Sequence, residues 1–174
     1  MEQLKTLDGL TNIDEKHLLL AKITGGIIDL SKLYEAVNSI ELHDGVPEEL
    51  HDQYNVARNM ALYTYYFYAL APVVQLKTYI LIEHALKMKN GKGTPPFKEL
   101  LRRAVEKGWI SDKGFRHLSP PSETSEYCRR LIDVLPRLRN EAAHGSNTLT
   151  PDCVGHLEKC VDFINQLYES PTIV

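Results

Sequence analysis

Apolar residues recur at three- and four-residue steps along most of this chain, and no stretch alternates strictly between apolar and polar. A period near 3.6 lines one face of a helix, whereas a strand needs a period of two. The pattern therefore confines the chain to an all-α fold. The first stripe, Leu18, Leu19, Ile23, Ile27, Leu30, Leu33, Tyr34 and Val37, predicts one helix over residues 14–42. Gly25 and Gly26 lie inside it. Two glycines cost about 2 kcal/mol against alanine in a helix interior, so they mark a break, a kink or a close helix crossing.

Breakers divide the remainder. HDGVP at 43–47 ends the first element. Pro47, Glu48 and Glu49 suit the start of a second, because proline fits the first turn and acidic side chains favour the positive end of the helix dipole. This helix continues through YNVARNMALYTYYFYAL, which is apolar nearly all round and so expected to be buried on several sides. Its aromatics, Tyr63, Tyr65, Tyr66, Phe67 and Tyr68, are read as core, since base-stacking platforms need open faces, usually on sheets. Pro72 either kinks this helix or separates it from the next, whose inward side is expected to carry Val73, Leu76, Ile80 and Leu86. NGKGTPP at 90–96 is a loop. FKELLRRAVEKGWI then reads as a short amphipathic helix with Phe97, Leu100, Leu101, Ala104 and Val105 inward, closed by Lys107 and Gly108.

Residues 111–125 are irregular around Pro120 and Pro121, and Ser122 or Thr124 is the expected cap of a helix over 123–144. Pro136 should bend that helix, and Gly145 should end it in the left-handed region. After a short SNTLT loop, Thr150 is the expected cap of the last helix and Pro151 its first residue. Val154, Leu157, Val161, Ile164, Leu167 and Tyr168 form its inward stripe. Five or six helices with mostly short connections make antiparallel neighbours, an up-and-down bundle.

At 174 residues and 43% hydrophobic, the chain is expected to form a single domain with a full core. The longest apolar run, 60–82, is interrupted by Thr64, Gln75, Lys77 and Thr78, so no membrane span is expected. The start, MEQLKTLDGL, has neither the basic beginning nor the apolar middle of a secretory leader. The three cysteines, Cys128, Cys153 and Cys160, are odd in number and form no CxxC pair. A cytoplasmic protein with reduced thiols is the expectation. The net charge of −3 disfavours nucleic-acid binding by the whole surface, but it averages two unlike parts. Residues 86–144 hold 13 Lys and Arg against 7 Asp and Glu, or +6, while the rest holds 7 against 16, or −9. The basic part suits a phosphate backbone or an acidic surface, unless the two parts neutralise each other.

LRNEAAHG at 138–145 is the segment that bears on chemistry. On a helix, Asn140 and His144 share a face, about 40° apart, while Arg139 and His144 stand about 140° apart. An arginine offers a fixed charge and a two-pronged fork for phosphate, and a histidine can give or take a proton near neutral pH. Ala142 and Ala143 leave room beside the imidazole. Such a set suits transesterification of RNA without a metal. The plainer alternative is that Arg139 pairs with a carboxylate such as Glu141 and His144 merely caps the helix.

The run Arg139, Asn140, three residues, then His144 and a glycine resembles the Rx4–6H signature of the HEPN superfamily. The neighbours resemble it too: LIEHAL at 81–86, the FKELLRRAVEKGWI helix before the motif and a proline-initiated helix after it. The resemblance covers 71–168 as a HEPN-like core and leaves 1–45 as an N-terminal helical extension. It implies an up-and-down helical bundle that commonly dimerises, in which motifs from two protomers build one site. It implies a metal-independent endoribonuclease, or a domain derived from one, in toxin–antitoxin, phage-defence or RNA-processing settings. The implied partners are RNA, a second copy and an inhibitory protein. Arg139 would hold the scissile phosphate, His144 would transfer protons and Asn140 would orient one of them. Glu83 would be an auxiliary polar partner from a neighbouring helix. Arg102, Arg103, Arg129 and Arg130 would supply the basic surface that RNA needs. The runner-up is a non-catalytic helical module for dimerisation or protein interaction.

No cofactor or metal is expected. Cys153, His156 and Cys160 have a C-x2-H-x3-C spacing on one helix, but a fourth ligand is lacking and core packing is the simpler reading. Cys128 lies beside Arg129 and Arg130, which would lower a thiol pKa, but no His or Asp adjoins it in sequence to make a nucleophile.

Overall fold

In the computed structural model of the protein, which describes residues 3–24, 26, 29–145 and 152–169, α4 (Ala71–Asn90) is the helix against which four of the others pack. α1 (Glu15–Thr24), α2 (Leu30–Asn38) and α3 (Glu48–Tyr63) come before it. α5 (Phe97–Glu106), α6 (Glu126–Ala143) and α7 (Cys153–Tyr168) follow. Three 3-10 turns, Leu7–Gly9, Tyr68–Leu70 and Asp112–Gly114, lie between the helices or ahead of them. The described residues contain no strand, and the molecule is an all-α bundle. None of the described helices is long and apolar enough to cross a membrane.

Among the described residues, seven α-helices stand where the sequence suggests five or six. The added one comes from the first stripe, which is two helices. Asp29 accepts from the Ser31 N–H at 2.8 Å and caps α2 in the middle of the predicted run. Gly25 and Ile27 lie outside the described residues, as does the side chain of Ile23.

α1 also turns a different face inward from the one its pattern suggests. Leu18 and Leu19 are exposed, and the buried side chains here are Asp14 and His17. Asp14 accepts from the N–H groups of Lys16 and Tyr68, each at 2.9 Å. A ring nitrogen of His17 lies 2.8 Å from the Thr64 carbonyl oxygen, and the ring meets Tyr68 edge-on and Tyr65 face-on. The tyrosine-rich turn after α3 is thus the mooring of the N-terminal segment. Of its aromatics only Tyr68 is fully buried, and Tyr63 is exposed.

α3 buries a single stripe, Leu50, Tyr54, Ala57 and Ala61, because it lies against α2 and α4 and leaves Val56 in solvent. Pro72 begins α4 rather than kinking a longer helix, consistent with a residue that fits the first turn and fails in an interior. α4 buries Val74, Thr78, Tyr79, Leu81, Ile82, Ala85 and Leu86. Of the four residues expected inward, Leu86 is buried, Leu76 is half-buried, and Val73 and Ile80 are exposed. This helix is apolar on most of its circumference, so periodicity does not say which side meets the neighbours.

α6 is capped from a distance. It starts at Glu126, and neither Ser122 nor Thr124 caps it. The two carboxylate oxygens of Asp112, a buried residue in the turn 14 positions upstream of that start, accept from the N–H groups of Tyr127 at 3.0 Å and Cys128 at 2.9 Å. These are the second and third amides of the helix, the pair that a cap ordinarily satisfies. The helix runs on through Pro136 to Ala143, and Gly145 follows at φ +85°. Asp152 caps α7, accepting from the Gly155 N–H at 2.8 Å. Thr150 and Pro151, expected at that position, lie outside the described residues, as does the SNTLT loop. Leu157, Val161, Ile164 and Leu167 point into the core as their spacing predicts, with Val154 and Tyr168 half-buried.

Candidate functional site

Arg139 sits in the penultimate turn of α6, half-exposed, and is anchored on both sides. One terminal nitrogen, Nη2, is 3.2 Å from Oε2 of Glu83 on α4. The other, Nη1, donates to Oδ1 of Asn140 at 3.1 Å. Glu83 is largely buried and its second oxygen accepts from Lys87 at 2.7 Å, so one carboxylate faces two cations. A guanidinium has five N–H donors, and these contacts use two of them. Its Nε is buried with no acceptor among the described residues.

His144 follows α6 as its C-terminal cap residue, with its own N–H donating to the Asn140 carbonyl at 3.0 Å. Its side chain is exposed, as is that of Asn140. The structure therefore joins Glu83, Arg139 and Asn140 in one network. It does not join His144 to Arg139. Five residues of α-helix separate the two by about 7.5 Å along the axis and about 140° around it.

The other predicted arginines fall into two groups. Arg103 donates to Asn90, at the end of α4, at 3.1 Å and to Glu99 at 3.1 Å, and Arg102 pairs with the same Glu99. Glu83, Lys87 and Asn90 succeed one another on one side of α4, about 10 Å from first to last. Arg139 at one end and Arg103 at the other are thus linked by a polar seam of two clusters, each with two cations to one carboxylate. Arg129 and Arg130 lie in the first two turns of α6, about 15 Å along the axis from Arg139. Arg130 pairs there with Glu126.

Six of the 13 cations of the basic segment pair within it, and the segment keeps its net +6. Lys98 pairs with Asp133, Lys113 with Glu123 and Arg137 with Glu141, beside the pairs of Arg102, Arg103 and Arg130. Glu141, suggested by the sequence as a partner for Arg139, is taken by Arg137 instead, loosely, at 3.9 Å.

Beside this end of α6, the outward residues Val73 and Leu76 of α4, Leu4 and Leu19 of the N-terminal segment, and Ala142 and Gly145 line a broad concavity of about 1230 Å3. Leu4, Leu19 and Val73 are exposed. The outward stripe of α4 runs from Val73 through Leu76 and Ile80 to Glu83, so apolar surface and the Arg139 network are continuous along one helix face.

The cysteines do not form a cluster. The Cys153 thiol lies 3.8 Å from the Thr64 hydroxyl, and Cys160 donates to the Thr78 carbonyl at 3.7 Å. Burial raises the pKa of both thiols. Cys128 runs against the sequence expectation: burial, and then the hydrogen bond and charge of Asp112, push its thiol up despite the two neighbouring arginines. No group of three His, Cys, Asp or Glu suited to a metal occurs among the described residues.

The Asp112 cap is the functional residue of the fold that sequence reasoning misses, because its partners lie 15 and 16 residues away and no short capping pattern marks it. The chain matches no family model, no curated protein and no solved structure.

Proposed function

We propose that this chain is a HEPN-type helical domain that acts on RNA as a metal-independent endoribonuclease, or descends from one, and works as a homodimer. One observation carries the reading. Arg139 is half-exposed, anchored by Glu83 and Asn140, has donors to spare, and lies in the penultimate turn of a helix whose C-terminal cap residue carries an exposed imidazole. Cytoplasmic toxin–antitoxin or phage-defence settings, with an inhibitory protein as partner, fit this reading.

The chemistry follows from the groups. Arg139 holds the phosphate with its free N–H donors, in the manner guanidinium groups favour. The ribose 2′-oxygen attacks phosphorus, the bond to the 5′-oxygen breaks, and a 2′,3′-cyclic phosphate is left. His144 takes the 2′-hydroxyl proton or gives one to the leaving 5′-oxygen. Asn140 and Glu83 keep the guanidinium aimed, and Arg103 and Arg102 meet flanking phosphates along the seam. Because His144 stands about 140° around the helix from Arg139 in one chain, the imidazole serving each arginine comes from the second copy, seated on the apolar face that adjoins them.

The alternative is a non-catalytic dimerisation module in which Arg139 is a structural ion pair. The exposed apolar face beside it favours that reading too. RNA cleavage in EDTA separates them, with Arg139→Ala and His144→Ala alongside. The nuclease gives cyclic-phosphate ends and loses at least about a hundredfold in rate with either substitution, the scale of one proton-transfer group. A folded wild-type protein that cuts none of a varied RNA set is the dimerisation module instead.

A further inference from the structure

α6 and α7 both rest on α4 but scarcely touch each other, and the space between them is a cavity of about 340 Å3. That is the lower end of the range for small-molecule sites. Ile82 of α4, Leu131 and Leu135 of α6 and Phe163 of α7 give it apolar walls. Its polar groups include His156 and Lys159 on α7, Tyr127 on α6, and His117 from the loop after Asp112–Gly114, while Thr78, Tyr79 and Cys160, which also line it, are already hydrogen-bonded. His156 meets Tyr79 edge-on, and His117 meets Phe115 and Tyr127 edge-on. Neither imidazole makes a hydrogen bond to another described residue, and the Tyr127 hydroxyl makes none either.

The surrounding charges leave this group short of an anion. Asp162 is held by Arg116 at 2.7 Å. Asp152 reaches Lys159 only at 3.9 Å, with most of its side chain in solvent. Glu158 and Asp162 favour a proton on His117, and Asp152 favours one on His156, but burial and the Lys159 charge outweigh them and hold both imidazoles below the usual histidine range. One ammonium, two neutral imidazoles and the phenols of Tyr127 and Tyr79 therefore line a largely apolar chamber with no carboxylate of its own inside it.

We propose that this cavity is a binding site for a small monocarboxylate with an apolar body, aromatic or branched, its carboxylate held by Lys159 and the imidazole N–H groups. The body fills the gap between α6 and α7 against Leu135 and Phe163. This site is independent of the RNA reading, since none of its residues belongs to the Arg139 network.

The test is a titration of the full chain with benzoate, and in parallel with benzyl alcohol, an uncharged molecule of similar shape, followed by the ring C–H resonances of His117 and His156. Benzoate is expected to shift both resonances and to bind at least about tenfold more tightly than the alcohol, as a desolvated charge-assisted contact predicts. Lys159→Gln should erase that preference, and Leu135→Trp, which fills the chamber, should abolish binding. Silence with benzoate, equal binding of both probes, or a preference that survives Lys159→Gln overturns the proposal. So do shifts that persist in a folded Leu135→Trp protein. If Leu135→Trp does not fold, Lys159→Gln decides alone, because that side chain is two-fifths exposed and supports no core.

Discussion

Asp112 shows how much one buried side chain can organise. Burial opposes its charge, yet the N–H groups of Cys128 and Tyr127 more than compensate and hold the carboxyl below its usual range. Losing a helix cap costs about 0.5–2 kcal/mol, and here two amides would be stranded where little water reaches, so Asp112→Ala should cost about 2 kcal/mol. Urea denaturation at neutral pH measures it, and a cost below about 0.5 kcal/mol would mean that water replaces the carboxylate. His156 makes the opposite demand. Burial, then Lys159, lowers its pKa in the folded protein. Below an unfolded value of about 6.5 the unfolded chain takes up the proton first, so stability that is constant above that pH is lost as pH falls through it toward the folded pKa. The melting temperature should drop between pH 7.5 and 5.5, and His156→Gln should reduce the drop. An unchanged drop would place the titration elsewhere.

Among the elements, α4 separates what periodicity tells from what it cannot. Leu81 is fully buried and Val73 is exposed on the same helix. Leu81→Ala should therefore cost about 2–5 kcal/mol, whereas Val73→Ala should stay within about 0.5 kcal/mol in the same denaturation series. The positions of α4 to α7 are legible in the chain because proline and glycine stand near their starts or stops, whereas α3 ends at Tyr63, where no breaker stands, and not at Leu70 as its pattern suggests. The inward face of α4 was not, since apolar residues nearly encircle it. The split of α1 from α2 was announced only by two glycines that admit several outcomes. In the candidate site, the contact of Arg139 with Asn140 joins sequence neighbours, and Glu83 could be named only through a family pattern, because its partner lies on another helix. The separation of His144 from Arg139 around the helix follows from helix geometry alone.

At the scale of the whole molecule, the charge map and the apolar face point the same way. Six of the 13 cations over 86–144 pair with carboxylates of that same segment and an excess of +6 remains, so RNA would meet a seam of local clusters with positive charge to spare instead of a uniformly basic face. The outward stripe of α4 is the natural seat for a second copy if Arg139 and His144 are to meet. Sedimentation velocity should show a dimer at micromolar concentration, and Ile80→Glu, a change at an exposed position, should give a folded monomer without RNA cleavage. A monomeric wild-type protein would remove the composite site. The loop that caps α6 carries a further consequence, one of timing. Through Arg116 it is fastened to Asp162 of α7, 46 residues later, and through Ser111 to Gln166. Domains are made from the N-terminus onward. On the ribosome, the stretch that bears Arg139 is translated well before the helix that fastens its capping loop, so a nascent chain cut short ahead of α7 would display the arginine on a scaffold still waiting for its closing part.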